Sequence, residues 1–512
     1  MHHFSYKVGG SNRMIYQNPI IRGFYPDPSI CKANGKYYLV CSSFQYFPGV
    51  PLFESDDLIN WKQIGHCLTR KSQIQLEEVD SSGGVFAPTI RYHEGRFYMC
   101  TTNDTLHQNF YIWTDDIYGE WSEPIFVDQG GIDPSLFFDN GKTYFISNGQ
   151  DDEGVGCIVQ CELEIETGRK LTPSKAIWQG SGGRYLESPH MYKIKDRYYL
   201  MAAEGGTEYG HMVTYARSDS PYGPFEAYPH NPVLTNRNLG GYEIQGVGHA
   251  DLIQDNNDEW WMVHLAFRQT GQYSTFHHLG REVFLVPVWF HEDGWFTAGE
   301  NGTTRQIIQL DDREAVKSQQ VKLSDTFENT DWKKDWCFLR IPNENNYCMG
   351  EKNLKLIGTE CTLDEPKSPT FIGIRQKDFN GIISSKVIVF SGEAGITLYM
   401  DENHHYDLAI RKNAECYEVI ERLNIGDIKS IEHRYDLGEV NEVTLKIQLE
   451  NLRYYFIVHT DKEEIELGSA QTRYLSSEVA CGFTGVVIGL YAISNEADYS
   501  AEFTNFSCIY HE

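Results

Sequence analysis

The sequence predicts an all-β protein in which a five-bladed β-propeller is followed by a β-sandwich. Three observations lead to this prediction. A strand–turn–strand segment recurs five times between residues 27 and 263, the repeat ends near residue 305, and short alternating strands fill the rest of the chain. We place the propeller at 1–308, a polar linker at 309–322 and the sandwich at 323–512. A chain of 512 residues is long enough to build two hydrophobic cores.

The repeat consists of segments that begin at residues 27, 87, 133 and 188, with a looser copy at 249. Each copy has a short strand, a tight turn such as Asn34-Gly35, and a second strand of aromatic and branched residues. The copies start 46 to 61 residues apart, which leaves room for four strands in each. Such units repeated around an axis form a propeller, whereas they are too long for a β-helix and too regular for a sandwich. We expect outer strands at 56–61 and 115–121.

The composition argues against several kinds of partner. A net charge of −28 leaves no basic stripe for nucleic acid or an anionic membrane, while a neutral, hydroxyl-rich ligand would not be repelled. Residues 1–14 carry no apolar stretch of the length a signal peptide needs, so we expect a cytoplasmic protein. The twelve cysteines are scattered, and Cys157 and Cys161 lack a second close pair, so no zinc site is expected.

The propeller geometry brings acidic residues together. The first strand of each blade lines the central channel, so equivalent positions of the repeat face one another around the axis. The position before the repeat's proline is occupied in turn by Asp27, Ala87, Asp133, Ser188 and, with one extra loop residue, His249. Glu187 directly precedes Ser188, so Asp27, Asp133 and Glu187 are expected at one mouth of the channel.

A single Asp-Pro pair is often only a turn or a cap. Three carboxylates at one level of a ring are not explained as turns or caps. Like charges that lie close together raise one another's pKa values and lower the stability of the fold. The sequence offers them no metal-ligand cluster, nucleophilic triad or phosphate loop. The trio therefore favours glycoside hydrolysis, in which one acid protonates the leaving oxygen, one base acts on water, and a third carboxylate tunes the acid.

Three segments resemble those of glycoside hydrolase family 43, which contains β-xylosidases and α-L-arabinofuranosidases: Gly23-Phe-Tyr-Pro-Asp-Pro-Ser-Ile30, Gly131-Ile-Asp-Pro-Ser-Leu-Phe137 and Leu186-Glu-Ser-Pro-His-Met-Tyr192. The resemblance covers nearly the whole chain. It implies that Asp27 is the general base, that Asp133 tunes the pKa of the acid, and that Glu187 is the general acid.

The resemblance also assigns residues around the acids. It implies that Arg281 binds sugar hydroxyls and that Phe44 and Phe86 wall the pocket, although many relatives carry Trp at the position of Phe86. It further implies a calcium ion held through water beside His249. The alternative for His249 is a structural hydrogen bond, since calcium prefers oxygen ligands.

The C-terminal half resembles the sandwich of the xylosidase branch, where a loop closes the far end of the pocket. Phe483 is the candidate for this contact, with a place in the sandwich core as the alternative. A separate carbohydrate-binding surface is the other role open to this domain.

From these observations we predict an inverting exo-glycosidase that releases xylose from the non-reducing ends of β-1,4-xylooligosaccharides. An α-L-arabinofuranosidase or an enzyme with both activities is the alternative, because the two sugars present similar hydroxyl patterns. A non-catalytic sugar-binding propeller is the rival from another class. The expected partners are xylooligosaccharides or arabinose-substituted oligosaccharides, and a homo-oligomer stays open.

Overall fold

The structure is a computed structural model that describes residues 13–311, 322–328, 331–414, 416–496 and 498–511. Between residues 29 and 298, five antiparallel sheets follow one another along the chain. Their strands, in order from the first strand of each sheet, are Ser29–Ala33, Lys36–Val40, Gly49–Ser55 and Lys62–Leu68; Thr89–His93, Arg96–Asn103, Gln108–Thr114 and Ile125–Val127; Ser135–Asp139, Lys142–Gln150, Gly156–Glu164, Arg169–Lys170 and Lys175–Trp178; Glu187–Ile194, Arg197–Glu204, Met212–Ser218 and Glu226–Ala227; and Ile244–Gln254, Trp260–Arg268, Glu282–Phe290 and Phe296–Ala298.

These sheets are the blades of a closed ring. The first strand of each blade contacts that of the next blade, and the first blade contacts the fifth. The tight turns follow from residue choice, since Asn34-Gly35 and Asn140-Gly141 both take positive φ at their two central residues, as a type I′ hairpin turn requires. Outside the blades, Arg13–Gln17 pairs with Ile307–Asp311.

The second domain is a sandwich of two antiparallel sheets. One sheet contains Lys322–Asp325, Tyr347–Gly350, Asn353–Leu356, Gly381–Val389, Glu442–Glu450, Arg453–His459, Glu464–Gln471 and Ala501–Tyr510. The other contains Thr370–Arg375, Glu393–Asp401, His404–Asn413, Cys416–Ile425, Ile428–Gly438 and Val487–Ile493. The alternation of buried and less buried residues along Gly381–Val389 shows why these strands pack with one face inward. The prediction of a five-bladed propeller followed by a β-sandwich is confirmed.

Helices are short throughout the described residues. They comprise the 3₁₀ turns Asp104–Leu106, Glu344–Asn346 and Thr472–Leu475 and the single α-helical turn Ser477–Ala480. No helix in this part of the chain is long and apolar enough to cross a membrane.

The expected outer strands of the first two blades were wrong. Residues 56–61 and 115–121 form turns, and the outer strands follow at Lys62–Leu68 and Ile125–Val127. The reason is local side-chain bonding. The carboxylate of Asp57 accepts the backbone N–H of Ile59 and of Asn60, at 2.9 and 2.7 Å, which bends the chain before the strand begins.

The bounds predicted for the linker also need correction. Residues 309–311 belong to the strand that pairs with Arg13–Gln17, and residue 322 begins a strand that pairs with Ala501–Tyr510. Backbone pairing at both ends therefore outweighs the polar composition that suggested a linker. Residues 312–321 lie outside the described residues.

The two domains contact each other beside the propeller mouth. Phe338–Leu339 of the second domain pairs with Tyr46–Phe47, two residues after Phe44. Arg340, which is fully buried, donates from Nε to the carbonyl of Val79 at 2.6 Å. The second domain thus holds loops of the propeller that border the predicted pocket.

Candidate active site

The ring positions that the repeat singled out share an unusual backbone conformation. Asp27, Asp133, Ser188 and His249 have φ values of 58°, 55°, 54° and 47°. A left-handed conformation costs a residue with a side chain about 1–2 kcal/mol. Ala87, the fifth equivalent, is not among the residues with positive φ. Four matched strained positions at one level of the ring indicate a functional site, because such strain persists where the surrounding structure holds it in place.

Asp27 is a buried carboxylate held in its ionised form. Its Oδ1 accepts a hydrogen bond from Nη1 of Arg281 at 3.0 Å, and its Oδ2 accepts one from Oγ of Ser42 at 2.6 Å. Burial opposes ionisation, but the charge of Arg281, the neighbouring His249 and the Ser42 hydrogen bond together hold the pKa of Asp27 below its ordinary value. Asp27 can therefore accept a proton from water at neutral pH.

Glu187 has the opposite electrostatic environment. Burial, followed by the negative charge of Asp27, raises the pKa of Glu187 to about 7. Asp133 is buried beside it, and its Oδ2 accepts the backbone N–H of Ser188 at 3.1 Å. Burial and the charges of Glu187 and Asp27 raise the pKa of Asp133. Burial and the neighbouring charges thus keep a proton available at Glu187 near neutral pH, while Asp27 stays ionised.

Three aromatic rings pack together next to Arg281. The ring of Phe44 lies 5.6 Å from that of Phe86 and 5.5 Å from that of Phe483, measured between centroids. The guanidinium carbon of Arg281 lies 5.1 Å from the centroid of Phe483. Phe483 comes from the second domain, and its backbone N–H donates to Oγ of Ser82 at 2.8 Å. The structure thus places Phe44, Phe86, Phe483 and Arg281 together, and Phe483 is part of the contact between the two domains.

Arg281 retains an unused donor. Its Nη1 bonds Asp27 and also Oγ1 of Thr207, at 2.8 Å. Its Nη2 is buried and has no hydrogen-bond partner among the described residues. A buried, unpartnered N–H is costly unless a ligand satisfies it, which fits a role in binding a sugar hydroxyl.

A cavity of about 410 Å³ opens in front of Glu187, within the size range of ligand pockets. Its lining contains Glu187, Arg281 and Phe483, with Tyr185, Tyr209 and Glu478 among the other residues. Asp27, Asp133, Phe44, Phe86 and His249 do not line it. Asp27 and Phe44 lie behind this lining, in contact with Arg281 or Phe483. The cavity is therefore the outer part of the site, on the side of the acid.

His249 is buried next to the base, with Nδ1 at 3.6 Å from Oδ1 of Asp27. Burial lowers its pKa, so the ring is neutral at physiological pH. The nearby carboxylates are already engaged, Asp27 by Arg281 and Asp251 by Arg91, whose Nη1 lies 2.7 Å from Oδ2 of Asp251.

Calcium takes about six to eight oxygen ligands. In the described part of the chain, no three His, Cys, Asp or Glu side chains are grouped to hold a metal. The residues around His249 thus do not fit a calcium ion with direct protein ligands, and an ion held through water stays a prediction.

Sequence reasoning did not single out several residues of this site. Ser42 and Thr207 lie in Ser42-Ser-Phe-Gln-Tyr-Phe-Pro-Gly49 and Gly205-Gly-Thr-Glu-Tyr-Gly-His211, two further segments that resemble those of the family, and this resemblance is the signal that could have found them. Ser82 and Glu478 carry no such signal, because each is brought to the site only by the contact between the domains. Glu478 accepts hydrogen bonds from the hydroxyl of Tyr209, at 2.9 Å, and from the backbone N–H of His277, at 3.0 Å.

An ionised carboxylate beside a carboxyl that is protonated near neutral pH is the pair that cleavage of a glycosidic bond requires. Placed at the mouth of a propeller beside packed aromatic rings, this pair defines a glycoside hydrolase. The family model of glycosyl hydrolases family 43 matches residues 16–296, and that of the β-xylosidase C-terminal concanavalin A-like domain matches residues 324–508. The chain belongs to glycosyl hydrolases family 43, and the resemblance found in its sequence is confirmed.

Individual relatives match over nearly their full lengths. A non-reducing end α-L-arabinofuranosidase of Bacteroides ovatus is 39% identical, covering 94% of this chain and 92% of its own. A xylosidase/arabinosidase of Butyrivibrio fibrisolvens is 37% identical, covering 94% of this chain and 96% of its own. The solved structure of Bacteroides ovatus xyloglucan PUL GH43B is 37% identical, with a TM-score of 0.90 and coverage of 97% of this chain and 100% of that one.

Proposed function

We propose that the protein is an inverting exo-glycosidase that releases xylose from the non-reducing ends of β-1,4-xylooligosaccharides. The observation that carries this proposal is the pair of carboxyls with opposite protonation, Asp27 ionised and Glu187 with a pKa raised to about 7. The ring of Phe483 packs on Phe44 and over Arg281, and we infer that it closes the pocket beyond the released sugar, which favours attack at a chain end over attack within a polymer. The match of the second domain to the β-xylosidase C-terminal domain supports xylose as the sugar.

In this mechanism the oxygen of a water molecule attacks the anomeric carbon while Asp27 takes up the water's proton. The bond from the anomeric carbon to the glycosidic oxygen breaks, and Glu187 gives its proton to that oxygen. Burial and the charge of Asp27 keep Glu187 protonated, and Asp133 holds the start of the strand that carries Glu187 by accepting the N–H of Ser188. Single displacement inverts the anomeric configuration, so a β-xyloside yields α-xylose.

An α-L-arabinofuranosidase is the second candidate. It is favoured by the similarity to the Bacteroides ovatus enzyme of that name and to the xylosidase/arabinosidase of Butyrivibrio fibrisolvens. The free Nη2 of Arg281 can bind a hydroxyl of either sugar. One pocket with both activities is compatible with these features.

The substrate is tested by comparing hydrolysis of 4-nitrophenyl β-D-xyloside, 4-nitrophenyl α-L-arabinofuranoside and xylobiose. We expect the xyloside and xylobiose to be cleaved, with α-xylose as the first anomer seen by proton NMR. Turnover of the arabinofuranoside alone would favour the second candidate. Release of β-xylose as the first product would contradict inversion.

The pH dependence of kcat/KM follows from the two carboxyls. Glu187 must be protonated, so activity should fall as pH rises through about 7, where its pKa lies. Asp27 must be ionised, and its pKa is lowered, so activity on the acid side should persist down to below the ordinary range of an aspartate. A pH profile of kcat/KM for xylobiose measures both limbs. A basic limb well above pH 8 would argue against Glu187 as the acid.

Short oligosaccharides are the substrates that a cytoplasmic enzyme would meet. The cytoplasmic location and a homo-oligomeric state stay predictions.

A further inference from the structure

Tyr185 is an exposed aromatic residue on the wall of the cavity in front of the proposed acid. Its side chain is 61% exposed, and it lines the cavity together with Glu187, two residues along the chain. Its φ is 52°, a conformation that is uncommon for a bulky residue. A large aromatic side chain that stays exposed to solvent adds little to the stability of the fold, and a strained backbone lowers that stability. The place of Tyr185 in the cavity therefore indicates a functional role.

The ring of Tyr185 is supported on one side by Gly206 and Arg184. It packs over Gly206, where an added Cβ would lie 3.1 Å from Cδ2 of the tyrosine. The guanidinium carbon of Arg184 lies 5.2 Å from the ring centroid, and Arg184 forms an ion pair with Glu208. These contacts support one side of the ring and leave much of the residue accessible from the cavity.

The loop that carries Tyr185 is itself anchored. The fully buried carboxylate of Glu204 accepts hydrogen bonds from the N–H of Ser181, at 2.8 Å, and from Oγ1 of Thr214, at 2.7 Å. The N–H of Gly205 donates to the carbonyl of Arg184 at 2.7 Å. Hydrogen bonds thus fix the segment that carries Tyr185, and this segment continues directly to Glu187.

We propose that Tyr185 is a specificity-determining residue that stacks on the leaving-group sugar of the substrate. This inference rests on the proposed function. The acid must lie at the glycosidic oxygen, and the base Asp27 does not line the cavity that Glu187 shares with Tyr185, so we place the part of the substrate beyond that oxygen in this cavity. One face of a pyranose ring carries C–H groups. Their hydrogens are slightly positive and are attracted to the negative face of an aromatic ring. The ligand class is therefore a neutral pyranose joined through the bond to be cleaved.

The test compares a substrate that has a leaving-group sugar with one that has none. Wild type, Tyr185→Ala and Tyr185→Phe are assayed as full chains on xylobiose and on β-D-xylosyl fluoride. For Tyr185→Ala we expect kcat/KM for xylobiose to fall about tenfold, as loss of an aromatic contact predicts, and the rate on the fluoride to change by less than about twofold. Tyr185→Phe retains the ring and should retain the preference for xylobiose.

Tyr118→Ala is the matched control, because Tyr118 is 62% exposed and does not line the cavity. It should leave both rates unchanged. An equal loss on both substrates in Tyr185→Ala would show that the residue acts through Glu187 or the fold, and wild-type rates on both substrates would show that it does not contact the leaving group. Either result overturns the proposal.

Failure of the proposed function gives a different result. Wild-type enzyme that leaves both xylosyl substrates intact would refute xylose release. The comparison is then made with an arabinose-substituted xylooligosaccharide and α-L-arabinofuranosyl fluoride, where the same change in ratio is expected.

Discussion

Asp27→Asn is expected to lower kcat for xylobiose by about 10³- to 10⁴-fold, close to the whole contribution of a general base. The amide cannot take the proton of the attacking water, although it keeps the size of the side chain. Its nitrogen and oxygen can still meet Ser42 and Arg281, so the pocket should keep its shape. The rate is measured by xylose release, and binding of xylobiose is followed by calorimetry. We expect binding to persist while hydrolysis is lost.

The matched control is Asp56→Asn, because the side chain of Asp56 is 81% exposed and does not line the cavity. It should leave kcat unchanged. An Asp27→Asn enzyme within about tenfold of the wild-type rate would remove Asp27 from the role of base. A wild-type enzyme that binds xylobiose and does not cleave it would instead support the sugar-binding propeller considered from the sequence.

Glu187→Gln is expected to have an effect that depends on the leaving group. On xylobiose, whose leaving oxygen needs a proton, kcat should fall by about 10²- to 10⁴-fold. On 2,4-dinitrophenyl β-D-xyloside, whose leaving group departs without a proton, we expect a loss of less than about tenfold, because Asp27 still activates water. The basic limb of the pH profile near pH 7 should also disappear in this variant, since the group whose pKa is raised to about 7 is gone.

Glu120→Gln serves as the control for this comparison, since the side chain of Glu120 is 91% exposed. Equal losses of Glu187→Gln on both substrates would point to a structural role for Glu187. A basic limb that survives in the variant would assign the titrating group to another residue, of which Asp133 is the first to examine because its pKa is raised as well.

Much of the fold and the centre of the site could be predicted because both follow from a repeat. The repeat sets hairpins through local turn residues such as Asn34-Gly35, and it places equivalent positions at one level of the ring. Asp27 and Asp133 occupy such positions, and Glu187 adjoins a third. Where local bonding differs from the general pattern, as at Asp57, the prediction of an outer strand was wrong.

The sequence by itself therefore determined the propeller, the sandwich and the three acidic residues, because neighbouring side chains and a repeated pattern encode them. The tertiary structure decided the protonation of these acids, since pKa values depend on burial and on charges from distant segments such as Arg281. It also decided which residues enclose the site. Phe483 meets Ser82 across 401 residues of chain, and Tyr185 gains its place from Gly206 behind it. Such contacts depend on how two surfaces pack, and no local pattern in either segment specifies the other.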